Sequence, residues 1–224
     1  MQHTERMRRF LETDLYLVIT EEHCAGRPAG DVLAAALDAG VRLVQLREKH
    51  LDDRRLFARA QAFRRATSDA GALMIVDDRI DVAMACDADG VHLGRRDLPV
   101  VAARDMAPDM IIGASSHSLA EALEAQRAEA SYVNIGPVFP TKTKAVPTGA
   151  LGPGALDEIA PALSIPWTVM GGIRLENVGE VLGRGARHVA VVTAVTAAAD
   201  VRRAAAELVR SIRTGRLETR PPSG

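Results

Sequence analysis

Short apolar, β-branched runs recur along this chain: LYLVIT (15–20), VRLVQL (41–46), LMIV (73–76), GVHL (90–93), MIIGA (110–114), YVNIG (132–136), WTVM (167–170) and HVAVV (188–192). Most are continuous rather than alternating, the pattern of parallel strands covered on both faces. Ala-rich segments with helical spacing lie between them. In DVLAAALDAG (31–40), Val32, Leu33, Ala36 and Leu37 share one face and Gly40 is placed to end the helix. SLAEALEAQRAEA (118–130) opens with Ser118 and Glu121 at capping-box spacing, and 103–107, 174–185 and 200–212 are further helix candidates. Eight strands alternating with helices predict an α/β fold, a single (β/α)8 TIM barrel. A doubly wound open sheet is the alternative, but no GxGxxG follows the first run. No internal linker interrupts the pattern. The chain therefore reads as one domain over 1–224, with 1–13 as an N-terminal extension and the polar, proline-paired 214–224 as a disordered tail.

Composition narrows the function classes. A net charge of -1 carries no footprint for nucleic acid, and 3% aromatics leave few stacking platforms for single strands. Cys24 and Cys86 are far apart, so neither a zinc cluster nor a disulfide scaffold is expected. The charged N-terminus lacks the apolar stretch of a signal peptide, and 189–199 is too short for a membrane span. The expectation is a cytoplasmic protein, monomer or homodimer, acting on small molecules without nucleic acid or membrane partners. Of the 28 basic residues 25 are Arg, so Lys49, Lys142 and Lys144 mark positions where a compact point charge is wanted.

In such a barrel, chemistry sits at the C-terminal ends of the strands. The polar residues there are QLREK (45–49), DDR (77–79), LGRRD (93–97), Ser115 and Ser116, GPVFPTKTK (136–144), GGI (171–173) and Thr193. Gly171 and Gly172 followed by Thr193 suit a phosphate held after the last two strands, although a ligand-free tight turn also explains the glycines. Asp77, Asp78 and Asp97 converge from neighbouring strands without His or Cys, which suits a hard cation such as Mg²⁺. The competing reading of Asp78 is a cap on a helix starting near Arg79. Arg47 and Lys49 share a face at period two, with Lys144 reaching across, and cations beside a metal imply a diphosphate. Their alternative is a surface ion-pair cluster with Glu48. Gln45 offers a donor and an acceptor to a heterocycle edge, or is a satisfied core amide. His92 reads as a hydrogen-bonded core histidine, His117 as part of the turn before a capped helix, and Trp167 as packing.

VQLREK, IVDDRIDVAMACDADGVHLGRRDLP, IIGASSHS, YVNIGPVFPTKTK and GGI, in this order, resemble the thiamine phosphate synthase family across nearly the whole chain. The resemblance implies a transferase of thiamine biosynthesis. Hydroxymethylpyrimidine diphosphate loses pyrophosphate to leave a pyrimidine methyl cation, which the ring nitrogen of thiazole phosphate captures. Carried over by motif, Gln45, Arg47, Lys49, Asp77, Ser115 and Lys144 match the pyrimidine diphosphate site, with Arg47, Lys49, Ser115 and Lys144 as the catalytic set. Asp78 and Asp97 match the Mg²⁺ ligands, and Thr141, Thr143, Gly172, Val192 and Thr193 the thiazole phosphate site. The chain departs from the family pattern at Asp77 (usually Asn), at Val192–Thr193 (an Ile–Ser type pair), at His188 and at Asn134. A carboxylate at 77 is unfavourable beside a diphosphate unless a cation lies between them, and the expectation is that Mg²⁺ bridges the two. Two other readings are a thiazole tautomerase-like isomerase on the same barrel, which would not need QLREK or the Asp78–Asp97 pair, and a non-catalytic phosphometabolite-binding protein.

Overall fold

The computed structural model describes residues 1–141, 143 and 149–218. Among these, eight parallel strands close into a barrel in chain order: β1 (Leu15–Ile19), β2 (Leu43–Leu46), β3 (Leu73–Asp77), β4 (Gly90–Leu93), β5 (Ile111–Ser116), β6 (Tyr132–Ile135), β7 (Trp167–Met170) and β8 (His188–Val191). Each falls on one of the eight apolar runs, and β8 pairs back onto β1. The fold is the (β/α)8 barrel, not the open sheet.

Two apolar layers explain why the runs are continuous. One strand face meets the outer helices, and the other points into the barrel, where Tyr16, Leu43, Leu73, Ile75, Ile111, Tyr132 and Ala190 form a separate buried cluster. Gly113 is required inside: a Cβ there would come within 2.1 Å of the Tyr132 ring.

The helices are α1 (His3–Leu11), α2 (Ala29–Asp38), α3 (Asp53–Asp69), α4 (Ile80–Ala85), α5 (Val100–Met106), α6 (Leu119–Arg127), α7 (Ala155–Ile159), α8 (Val178–Leu182), α9 (Thr193–Thr196) and α10 (Val201–Glu218). The Ser118 hydroxyl caps α6 by accepting from the Glu121 amide at 3.2 Å. The Glu121 carboxylate returns to the amide of His117 rather than to that of Ser118, so the box is closed one residue early.

Two segments differ in form from their sequence description. The stretch 1–13 contains α1, whose Phe10 is fully buried and stacks on Tyr132 at 4.8 Å, filling the N-terminal end of the barrel. Its Arg6 is also buried, beside Asp89, and donates to the Asp109 carbonyl at 2.9 Å. At the other end α10 runs to Glu218, past the start of the segment 214–224, and residues 219–224 lie outside the described residues. No helix among the described residues is long and apolar enough to cross a membrane.

Candidate functional site

A cavity of about 600 Å³ opens at the C-terminal ends of the strands. Its lining takes Gln45 and Arg47 from the end of β2, Asp77 from β3, His92 from β4, Ser115 from β5, Thr141 and Thr143 after β6, Gly171 and Gly172 after β7, and Val192 and Thr193 after β8. That gathers most of the expected residues into one space. Lys49 adjoins it through Asp77, and Asp78 and Asp97 stand beyond Lys49 rather than lining it. Lys144 and Lys142 lie outside the described residues. Of the two serines on β5, Ser116 is buried and bonds the Asn134 carbonyl at 3.3 Å, whereas Ser115 faces the cavity.

The acidic corner is built by a sharp turn after β3. Asp78 adopts a left-handed φ of +60°, its amide donates to the His92 carbonyl at 2.9 Å, and the Arg79 amide turns back to the Asp77 carbonyl at 2.7 Å. A non-glycine residue in this region costs roughly 1–2 kcal/mol, strain of the kind that collects at functional sites. The turn also removes the capping alternative. Arg79 holds the cap position of α4 without a side-chain bond, and the Asp78 carboxylate instead meets Lys49 and Asp97. Arg79 itself is taken by Asp81 and Asp53, away from Asp77.

Lys49 is the hub of this corner. Its Nζ lies 2.6 Å from Asp77 and also bonds Asp78, while Arg47 approaches Asp77 at 3.5 Å. Glu48 points elsewhere, pairing with Arg59 at 2.7 Å, so the surface cluster of Arg47 and Lys49 with Glu48 does not form. Burial opposes the Lys49 charge, but the two aspartates outweigh it and raise its pKa. Burial, together with the charge of Asp78, raises the pKa of Asp77 against the pull of Lys49 and Arg47. Burial also works against ionised Asp78, yet the bonds from Lys49 and Asp97 hold its pKa below the usual carboxylate value. Asp97 goes the other way, raised by burial and by Asp78, although it accepts the Gly94 amide at 2.7 Å.

No group of three or more His, Cys, Asp or Glu arranged to hold a metal is found among the described residues. The Asp78–Asp97 pair nevertheless fits a hard cation that keeps most of its waters. Mg²⁺ commonly takes only one or two protein carboxylates and fills its shell with water and substrate phosphate oxygens. Two carboxylates forced to share a hydrogen bond are a donor set that such an ion would relieve.

The opposite wall is formed by loops that depend on two glycines. Gly171 and Gly172 have φ of +106° and +63°, and a Cβ on Gly172 would come within 2.5 Å of the Pro140 carbonyl oxygen. The glycines thus let the loop after β7 press against the loop after β6, a closer constraint than approach of an anion. Asn177 ties this turn down by donating to the Gly172 carbonyl at 3.0 Å. Thr193 begins α9, directly after Val192.

Residues that the sequence did not assign to a site also belong here. Asn134 and Met170 line the cavity, and Asn134 accepts the Thr168 hydroxyl at 2.7 Å. His117 lines it too, with its Nδ1 against the Gly136 carbonyl. His92 is a hydrogen-bonded core residue, as expected, but it also reaches the cavity through a 2.9 Å bond to Ser115. Gln45 is 2% exposed with its Nε2 donating to the Tyr16 hydroxyl at 2.7 Å, the satisfied core amide of the alternative, and it also lines the cavity. The signal for Asn134 was its inward alternation with Tyr132 on β6, which the apolar-run reading ignored.

Comparison with known proteins agrees with this picture. Residues 15–195 match the family model described as thiamine monophosphate synthase. The thiamine-phosphate synthase of Haloquadratum walsbyi is 43% identical over 211 residues, covering 93% of this chain and 95% of that one. The thiamine-phosphate synthase of Pyrococcus abyssi is 42% identical over 212 residues, covering 95% and 98%. Among solved structures, thiamine phosphate pyrophosphorylase from Pyrococcus furiosus superposes with a TM-score of 0.85 at 37% identity, covering 94% of this chain and 98% of the other.

Proposed function

Since the chain belongs to the thiamine monophosphate synthase family, we infer how its own residues divide the work of that reaction. The activity is thiamine-phosphate synthesis, a transferase reaction of thiamine biosynthesis. The substrates we assign are hydroxymethylpyrimidine diphosphate and thiazole phosphate. The observation that carries the assignment is Lys49 beside Arg47, two cations converging at one edge of a cavity whose far wall is the Gly171–Gly172 and Val192–Thr193 loops.

Arg47 and Lys49 bind the diphosphate and stabilise the charge that grows on it as the carbon–oxygen bond breaks. Lys144 belongs to the same set by its motif. The electron pair of that bond leaves with pyrophosphate, and the methylene carbon becomes a pyrimidine methyl cation. Gln45 and Ser115 hold the pyrimidine ring. The thiazole nitrogen then supplies its lone pair to the cation, so no proton has to move in the bond-forming step. Thr141, Thr143, Gly172, Val192 and Thr193 hold the thiazole phosphate so that this nitrogen faces the cation. The cavity walls are more apolar than polar, which limits the water able to capture the cation before the thiazole does. Asp78 and Asp97 would hold Mg²⁺, which when bound supplies charge neutralisation for the leaving pyrophosphate. The chemistry needs electrostatic stabilisation rather than a strong base.

The test measures pyrophosphate release with the pyrimidine diphosphate alone and after addition of thiazole phosphate. Release that rises with thiazole phosphate and matches thiamine phosphate formed supports the assignment. Binding of both compounds without any release would overturn it.

A further inference from the structure

Beneath the cavity, side chains from five strands form a continuous chain of hydrogen bonds. Gln45 Nε2 meets the Tyr16 hydroxyl at 2.7 Å, Tyr16 meets the Tyr132 hydroxyl at 2.9 Å, Tyr132 meets His92 Nδ1 at 2.9 Å, and His92 Nε2 meets Ser115 Oγ at 2.9 Å. Gln45, Tyr16, Tyr132 and His92 are all buried, and the two ends, Gln45 and Ser115, line the cavity. We propose that Tyr16, Tyr132 and His92 are positioning residues that fix which end of this chain donates and which accepts, and so select an amino-substituted pyrimidine over its oxo counterpart. The proposal deepens the assignment of Gln45 and Ser115 to the pyrimidine and rests on it.

The direction follows from one group. An amide nitrogen can only donate, so Tyr16 must accept from Gln45. Each tyrosine has a single proton to give, so Tyr16 donates to Tyr132 and Tyr132 donates to His92 Nδ1. The imidazole is then neutral, carries its proton on Nε2 and donates it to Ser115. Ser115 accepts there, which leaves its own proton to be offered to the cavity. At the other end, Gln45 has turned its amide nitrogen inward, so its carbonyl oxygen is the group left for a ligand. Burial raises the pKa of both tyrosines, which keeps each a protonated link.

The result is one acceptor and one donor presented to the same ligand. An amino group beside a ring nitrogen offers the complementary donor and acceptor. With the exocyclic substituent facing Gln45 and the ring nitrogen facing Ser115, a ring bearing an oxo group beside a protonated nitrogen sets acceptor against acceptor and donor against donor. Reversal would require the Gln45 amide to flip, both hydroxyls to turn and the His92 tautomer to switch together, so the chain has two states and no stable mixture.

The experiment has two arms. In the first, long-range nitrogen–proton NMR correlations on nitrogen-15-labelled protein without substrate report the His92 tautomer. In the second, the aminopyrimidine diphosphate and its oxo analogue compete in steady-state assays of wild type, Tyr132→Phe, Tyr16→Phe and Phe10→Leu. We expect His92 protonated at Nε2 in wild type. Either tyrosine variant should narrow the amino-over-oxo preference by about 10-fold, the scale of one or two hydrogen bonds, with the thiazole phosphate KM unchanged. Phe10→Leu, which touches the Tyr132 ring without joining the chain, should lower the Tm and leave the preference intact. His92 protonated at Nδ1, an unaltered preference in both tyrosine variants, or an equal loss in Phe10→Leu would overturn the proposal. If a tyrosine variant does not fold, the wild-type tautomer still decides. Wild type that makes no thiamine phosphate would overturn the substrate assignment while leaving the tautomer readable, so the two failures are distinct.

Discussion

Asp78 and Asp97 face each other from the ends of neighbouring strands and are pushed in opposite directions: Asp78 is held below the usual carboxylate pKa and Asp97 is raised above it. Two like groups at this distance cannot both ionise without cost, and a cation between them removes the cost. On the proposed Mg²⁺ role, stability and function therefore oppose each other at this pair.

Asp97→Asn tests that opposition. A carboxyl whose pKa is raised by folding stabilises the fold only while protonated, and the contribution is lost as pH rises through the folded value. In protein without divalent cation, the variant should melt about 1–2 °C above wild type at neutral pH. The gain should vanish below about pH 4, where the unfolded carboxyl is protonated as well. Turnover should fall by about 100-fold or more. Melting curves across pH, read beside pyrophosphate release, check both halves, and a neutral-pH Tm below wild type contradicts the first.

Asp77→Asn separates two roles for the departure from the family pattern. If Mg²⁺ lies between Asp77 and the diphosphate, the amide should raise the Mg²⁺ requirement. The contacts favour another role, because Asp77 is held by Lys49 at 2.6 Å and Arg47 at 3.5 Å and would compete with the proposed diphosphate for both cations. We expect the pyrimidine diphosphate KM to fall about threefold with the Mg²⁺ midpoint unchanged. A Mg²⁺ titration of both proteins at fixed pyrimidine diphosphate decides.

Gly172→Ala adds no charge, yet its Cβ would stand 2.5 Å from the Pro140 carbonyl oxygen at a φ of +63°. Both loops must move, at a stability cost of about 1–2 kcal/mol. The thiazole phosphate KM should rise well beyond that of the pyrimidine diphosphate. Equal increases would mean that these loops do not hold the thiazole phosphate.

Phe10→Ala empties the N-terminal end of the barrel, and Phe10 is not among the residues lining the cavity. Loss of a fully buried phenylalanine costs about 3–5 kcal/mol, or roughly 6–20 °C of Tm for a chain of this size. The kcat of the folded fraction should stay within about twofold of wild type. A thermal melt and a turnover assay at low temperature test this, and a kcat that collapses while the Tm holds would contradict it.

The barrel was legible because strands covered on both faces are apolar at nearly every position, whichever strands they later pair with. The acids and cations at the strand ends were legible for a related reason, since packing alone does not place them there. The helix α3 is not legible in the same way: its Leu56, Ala60, Phe63 and Thr67 follow helical spacing, but five arginines between 54 and 65 and the adjacent Asp53 mask the stripe. What the sequence could not decide is every relation that depends on closure of the barrel. Whether Lys49 meets Glu48, one residue away, or Asp77 and Asp78, almost thirty residues away, is settled by the β2–β3 register. Tyr16 and Tyr132 stand 116 residues apart and look like ordinary core aromatics, yet their hydroxyls touch. Local composition sets which face of a strand is buried; only the closed sheet sets which side chains share the interior, and the polar ones there must find their partners in it.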